Sequence, residues 1–576
     1  MSPSGSARAL LAAFLLHDAP LPAAWLPRLA PSAQDVDTLA TARLIEESAD
    51  GSWSLTSSVK KSAQLRALPW SVRQSAHHTL ASLCAEAGLH SSRARHLTAL
   101  GDTTTALIAW ADAVTAAVAD SRFDDALTAL DSLAPLAASA SSPRPFLDAL
   151  RLCADTPRLA AAMETRLAAW LAQPVWRERP AFVATAALLL ATLNASAGRH
   201  TASAGFRTQA AAALRETGDL TGAARQLTAA FVTYVFAIHY TVACETGLQA
   251  IAAAEACNDI ACQAEAHSML GLLLGMQGDT AGGRARLEHA LDLSLRHNLT
   301  ASAAEAYRLL GTVAEYASCY GDQQTAFARA LAYCRRHDAT ATAEVCMGCL
   351  SYSLFRSGNW TRSRSVARGV LAGPGVIAHC VAEGVLGLYH AHRGELRDAV
   401  PHLEAARGIS QKIGLLCIEF FYAWGIALVE QQAGRPDSAA VHYRRLLDVW
   451  SGTEDRHDAI PGLTFGALFF CDQGDTRTAR DFSAALRVIT TATANPEAAG
   501  AHALVSGELL RREGKSTQAL PLFRLAIESY ARRELVVERI HALPRLAAAL
   551  RATGDTAAFA LPILERLSHA TERVAK

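Results

Sequence analysis

Small and apolar positions recur along the carboxy-terminal half of the chain at a fixed spacing. Gly387, Ala427, Ala467, Gly507 and Ala547 each stand seven residues before a glycine, and those glycines (Gly394, Gly434, Gly474, Gly514 and Gly554) lie 40 residues apart. Five residues after them come Ala399, Ala439, Ala479, Ala519 and Phe559, and two copies continue with Leu403/Ala406 and Phe523/Ala526. The pattern predicts antiparallel helix pairs. Small residues on the first helix let the second approach closely, the glycine ends the first helix, and alanine with a larger apolar residue faces back. Earlier copies are looser: Gly278 with Gly271, Leu287 and Ala290; Gly321 with Ala314 and Ala326; Gly101 with Ala94, Ala106 and Ala113. Gly218 and Gly358 match in part, and the 60 residues from Gly218 to Gly278 predict an irregular unit or an insertion.

This is the grammar of tetratricopeptide (TPR) repeats, with helices a few residues longer than the usual period of about 34 requires. It predicts a TPR-type array from about Arg93 onward. The fold class is therefore all-α, a TPR-like superhelix with a small winged-helix-like domain in front. Expected boundaries are 1–70 for that domain, 71–195 for irregular first repeats and 196–576 for the regular solenoid. Hydrophobic residues make up 51% of the 576, rich in alanine and poor in aromatics, which suits closely packed helices. The segment Ala560–Lys576, amphipathic with a basic end, reads as a polar cap for the last repeat.

The first seventy residues have a different period. Ala7–His17 reads as a helix, Pro20–Pro31 as a proline-broken stretch, and Ser32 as the N-cap of a helix reaching about Ala42. Arg43–Ser48 and Ser52–Thr56 flank Asp50-Gly51, a hairpin signal. Pro69 marks the exit, and a helix restarts near Ser71. Helices followed by a hairpin form the winged-helix layout. Six basic residues through Arg66, including Lys60 and Lys61, meet six acidic ones, and Asp35 and Asp37 sit on the presumed third helix, where they repel phosphate. The formal net charge of the chain is zero, so direct nucleic-acid binding is not the preferred reading.

Twelve cysteines without a paired framework read as small buried residues of a reducing, cytoplasmic compartment. No apolar run is long enough to cross a bilayer. Ala9–Leu16 follows a single basic residue, Arg8, and runs on as a helix, unlike a signal peptide.

Two blocks carry a family likeness. The first is Leu21-Pro22-Ala23-Ala24-Trp25-Leu26, Arg43-Leu44-Ile45-Glu46, Asp50-Gly51-Ser52-Trp53-Ser54-Leu55, Ala94-Arg95-His96-Leu97 and Gly101-Asp102. It resembles the winged-helix and first helical repeats that follow the ATPase module of STAND-type signalling ATPases. The second is Tyr333-Cys334-Arg335, Val345-Cys346 to Cys349-Leu350, and Thr453-Glu454-Asp455-Arg456-His457-Asp458. It is similar to the TPR sensor region of the large ATP-binding LuxR-type transcriptional regulators. Those proteins carry a nucleotide-binding domain before this region and a helix-turn-helix domain after it. Neither is expected in this sequence, so the resemblance implies a sensor or scaffold half without motor or output.

Candidate chemistry is sparse. Gly514-Lys515-Ser516 resembles the tail of a phosphate loop, but Leu509 stands where that loop needs glycine. Cys334, His337, Cys346 and Cys349 have zinc-like spacing; the preferred alternative places Cys346 and Cys349 in the core and His337 at a helix C-terminus, with no metal. His77-His78 and Tyr389-His390-Ala391-His392 read as helix-surface or inner-face residues rather than ligands, and Asp124-Asp125 as a helix start. No nucleophile elbow or zinc-protease motif is present, so no enzyme activity and no cofactor are expected. Arg356, Tyr389 and Trp424 are placed on groove-lining helices, and Arg456 and His457 in a charged loop between helices; these five are the candidate ligand- or partner-binding residues. The function expected is a ligand-sensing and protein-interaction module. It would bind a peptide, a small inducer or a protein partner such as an ATPase or DNA-binding regulator, and act by population shift. The alternative is a direct DNA-binding regulator using the winged helix.

Overall fold

The computed structural model describes residues 5–30, 32–59 and 61–554. The expected cap Ala560–Lys576, Phe559 and Lys60 lie outside them. The chain divides into two compact units, Met1–Leu193 and Asn194–Lys576.

The first unit opens with α1 (Gly5–Leu16), β1 (Leu21–Pro22), α2 (Leu26–Leu29), α3 (Ala33–Thr41), β2 (Ile45–Glu47) and β3 (Ser52–Leu55). Ser32 caps α3 by accepting from the Gln34 N–H. Gly51, at φ +77°, closes the β2–β3 turn. The three strands are antiparallel in the order β1-β3-β2, with Leu21 opposite Trp53 and Ile45 opposite Leu55. The Pro20–Pro31 stretch thus contributes an edge strand and a short helix. Next come α4 (Lys61–Ala67), α5 (Trp70–Glu86) and α6 (His90–Leu100). One core joins α1, the sheet and α5 through Leu10, Phe14, Leu21, Leu39, Ile45 and Leu80. Further helices continue the unit to Leu193.

The second unit is a TPR-like helical-repeat array. From His200 a new helix begins every twenty residues, at Leu220, Tyr240, Ile260, Thr280, Thr300, Tyr320, Thr340 and Trp360. Most are 17 residues long, followed by a three-residue turn whose central residue is left-handed. Glycine holds that position at 198, 218, 278 and 358, but Ile238, Asn258, Asn298, Ser318 and Asp338 hold it elsewhere. The 60 residues from Gly218 to Gly278 are therefore regular, not irregular: two turns are closed by Ile238 and Asn258, which carry no glycine signature. Gly321 is not a turn residue. It lies in the first turn of the helix Tyr320–Arg336, and Ser318 is the left-handed residue. Asp219, Asp259, Asp279 and Asp475, each next after such a residue, cap the following helix with a side chain that accepts a backbone N–H.

Small residues set the helix spacing. A Cβ on Gly271 would stand 2.7 Å from the Gly283 carbonyl oxygen. Distant turns of the array also meet. His200 contacts the Gln411 carbonyl, the Ile238 carbonyl accepts from the Glu454 N–H, and Asn495 donates to the Tyr316 carbonyl. At Gly278 (φ +99°) a Cβ would stand 2.8 Å from the Thr493 Cα, so this approach requires glycine. These contacts bury side chains that an open groove would expose.

Candidate functional site

The twenty-residue rhythm fails at three places in the second unit. The helix Trp360–Val370 has only 11 residues and is followed by a loop through Gly373 and Gly375. Leu415 and Leu416 lead into the helix Cys417–Gln432. The segment 452–459 replaces the first turn of the helix Ile460–Asp472. Residues from or beside all three, Ile377, Leu415 and Asp458, line one cavity of about 220 Å³. That is below the ~300–1,000 Å³ usual for drug-sized ligands and suits a smaller molecule. Its walls are apolar, with Leu309, Val345, Ile418 and Phe421 among them, and its polar side carries Glu305, Arg308, Glu315 and Asp458.

The loop 452–459 is held inward by hydrogen bonds more than by ion pairs. Glu454 accepts from the Thr241 N–H at 2.8 Å. Buried Asp455 accepts from the backbone N–H groups of Asp458 (3.1 Å) and Ala459 (3.0 Å), starting the next helix. Arg456 is half-buried and donates to the Asp455 carbonyl at 2.9 Å. His457 is 2% exposed, edge-on to the Tyr316 ring, with Nε2 3.9 Å from Glu315 Oε1, and neither ring nitrogen has a hydrogen-bond partner. Burial pulls its pKa down to about 4, so the ring is neutral. Asp458 is 7% exposed and its Oδ2 has no partner.

Electrostatics at this floor are unbalanced. Burial pushes the Glu315 carboxyl up to about 7, against the Gln323 amide that donates to it. Burial, then the Asp455, Glu315 and Glu497 charges, pushes Asp458 well above the usual carboxylate range. Arg308 is already committed, its Nε and Nη2 donating to the two Glu305 oxygens. Behind the floor, Arg356 Nη2 donates to Glu497 and Glu538 at 2.6 Å each, and Nη1 to the Tyr352 hydroxyl at 3.0 Å. Donor atoms of Glu315, His457 and Asp458 lie within 4.8 Å of one another, close enough for a metal ion.

Of the five candidate residues, Arg356 (1% exposed), Tyr389 (4%) and Trp424 (1%) are interior, not on an open groove. Trp424 stacks on Phe465, and Tyr389 packs beside Arg364 and Arg393. Only the loop of Arg456 and His457 reaches the cavity, through the next residue, Asp458. Sequence reasoning passed over Glu315, Arg308 and Asp458. For Asp458 the signal was the interrupted rhythm near 454, masked because Gly434 and Gly474 kept their 40-residue spacing, while Arg308 and Glu315 lie on the regular helix Thr300–Tyr316 and carry no such signal. The zinc-like set is not brought together: His337 is exposed at the C-terminus of its helix, while Cys346 is buried against Phe327 and Leu350. Gly514 is a left-handed inter-helix turn. His77, read as a surface or inner-face residue, instead joins His17 and His96 in a buried chain: His17 Nδ1 is 3.2 Å from His96 Nε2, and His77 Nδ1 3.1 Å from His96 Nδ1.

No family model matches the chain, and no curated protein matches it. Among solved structures it is similar to the Rap protein complexed with Competence and Sporulation Factor, at 11% identity and a TM-score of 0.37 over 67% of this chain and 98% of that one. It is also similar to the APC/C hetero-tetramer Cut9-Hcn1, at 11% identity and a TM-score of 0.41 over 82% of this chain and 94% of that one. At these values the likeness carries no argument about function.

Proposed function

We propose that the protein is a non-enzymatic ligand-sensing module, in which the cavity of the second unit binds a small, largely apolar molecule with one polar end. The observation that carries this reading is the coincidence of the three interruptions of the array with one apolar cavity that ends on an unpartnered, buried carboxyl. Buried polar groups without partners are costly, and sites where a regular pattern breaks at such a cost are where function is sought. A non-catalytic role is supported by the thiols at the wall. Burial raises Cys349 to about 11 and Cys417 well above the usual thiol value, so neither is a nucleophile near neutrality.

Ligand in the cavity would touch helices from three parts of the array at once. It would thereby favour one arrangement of the array and change the face offered to a protein partner. The order helix, strand, two helices, hairpin in the first unit supports the winged-helix reading and a role in docking that partner. Lys61 and Arg95 pair with Asp18 and Arg28 with Glu86, which does not favour DNA as the partner.

The test is a thermal-shift screen of small molecules on the full chain, repeated on Leu309→Trp, which fills the cavity. Ligands that raise the melting temperature of the parent but not of Leu309→Trp are expected. Hits insensitive to that substitution, or consumed on incubation, would sink the reading.

A further inference from the structure

The cavity floor has an unmet requirement that identifies the charge of its occupant. Glu305, Glu315 and Asp458 face the cavity, and Arg308 is the cation that lines it with them. Arg308 is spent in a bidentate pair with Glu305, and Arg356 behind the floor is spent on Glu497 and Glu538. Asp455 adds another buried carboxyl. Asp458 Oδ2 and both nitrogens of His457 are left without partners, each on a side chain more than nine-tenths buried. An anion brought here meets acids with no free cation, whereas a cation meets Asp458 Oδ2, which lacks a donor. Beyond the floor the wall presents Tyr316, Tyr352, Phe236 and Phe421, and aromatic faces attract ammonium groups.

Resting on the reading of the cavity as a ligand site, we propose that the polar end of the ligand is a protonated amine, seated against Asp458 and Glu315, with an aryl or alkyl body along Leu309, Val381 and Ile418. The amine is a donor to Asp458 Oδ2 and Glu315, and its charge favours the ionised form of these two acids, which burial otherwise disfavours. A divalent metal held by Glu315, His457 and Asp458 would meet the same oxygens. A bare ion, however, leaves the carbon-walled space beyond it empty, and an organic cation fills both parts.

The experiment is calorimetric titration of the full-length protein, dialysed against chelator, with primary arylalkylamines and their alcohol and carboxylate isosteres. The series starts from 2-phenylethylamine, 2-phenylethanol and phenylacetate. Amines are expected to bind at least tenfold more tightly than either isostere. Asp458→Asn, with Glu315→Gln as a second variant, should erase most of that difference while alcohol binding persists. Circular dichroism melts of both variants establish that they fold. Alcohols or carboxylates binding as tightly as amines would overturn the amine assignment and leave the cavity reading standing. So would amine binding that appears only when zinc is restored. No Leu309→Trp-sensitive binding by any member of the series, or in the wider screen, removes both.

Discussion

Each unit buries a cluster of titratable side chains, and the two clusters are built on opposite terms. In the first unit His96 bonds to His17 and to His77, and neutral imidazoles offer one donor and one acceptor each, so both contacts pair a donor with an acceptor. Burial holds all three below the usual imidazole range, His96 down to about 3. In the second unit the interior around Arg356 and His457 holds more acid than base and leaves several atoms unpartnered. A closed cluster is a packing device. An open one keeps a cost that only a further molecule can relieve.

The largest way to break this contrast is Arg356→Leu. It strands Glu497 and Glu538 in the interior, and removing one partner of a buried ion group costs about 3–5 kcal/mol. Urea unfolding followed by circular dichroism should show a loss of that size; a loss under 1 kcal/mol would mean the acids are neutral without the guanidinium. Next is Gly278→Ala, which adds a left-handed penalty and a clash against the Thr493 backbone, about 2 kcal/mol or more in total. Gly474→Ala, at φ +80° with open space around it, should cost about 1 kcal/mol, and equal losses would argue against the close approach. Asp458→Asn should stabilise the ligand-free protein by about 1 kcal/mol, since an amide avoids burying an ionisable group, while weakening ligand binding.

The smallest effect is the sharpest in sign. The imidazoles of the first unit have folded pKa values below the free value of 6.5, so their contribution is intact above 6.5 and is lost as pH falls toward about 3. Glu315 is the reverse: its folded value of about 7 lies above 4.5, so its contribution is full below 4.5 and is lost as pH rises through 7. Acidification from pH 7 to 5 should therefore loosen peptides of α1, α5 and α6 and tighten those of the helix Thr300–Tyr316. Hydrogen exchange, corrected for its intrinsic pH dependence, reads both, and Glu315→Gln should flatten the second response alone.

Glycine made half of the array legible. A glycine in the left-handed region is the cheapest way to end a helix, so Gly394 to Gly554 marked their turns openly. The intervening turns were hidden because Ile238, Ser318 and Glu534 take the same backbone conformation with no letter that announces it. The Ser32 cap and the Asp50-Gly51 turn were readable for the same local reason. The candidate site was not, because its geometry depends on contacts between residues 177 to 213 positions apart, such as Ser318 with Asn495 and Thr241 with Glu454. Repeat grammar describes neighbours only. It placed Arg356 and Trp424 on inward helices and could not tell that a later turn of the chain covers them.

Those long-distance contacts have a mechanical consequence. An open helical-repeat array behaves as a spring, which lengthens under load by small rotations at every helix pair. Here His200 is tied to Gln411, Thr241 to Glu454 and Ser318 to Asn495 across successive coils. A pull on the unit is met first as shear along this seam. Extension should proceed in discrete ruptures at high force, and the seam's bonds, more than the stiffness of any repeat, set the load at which the coil opens.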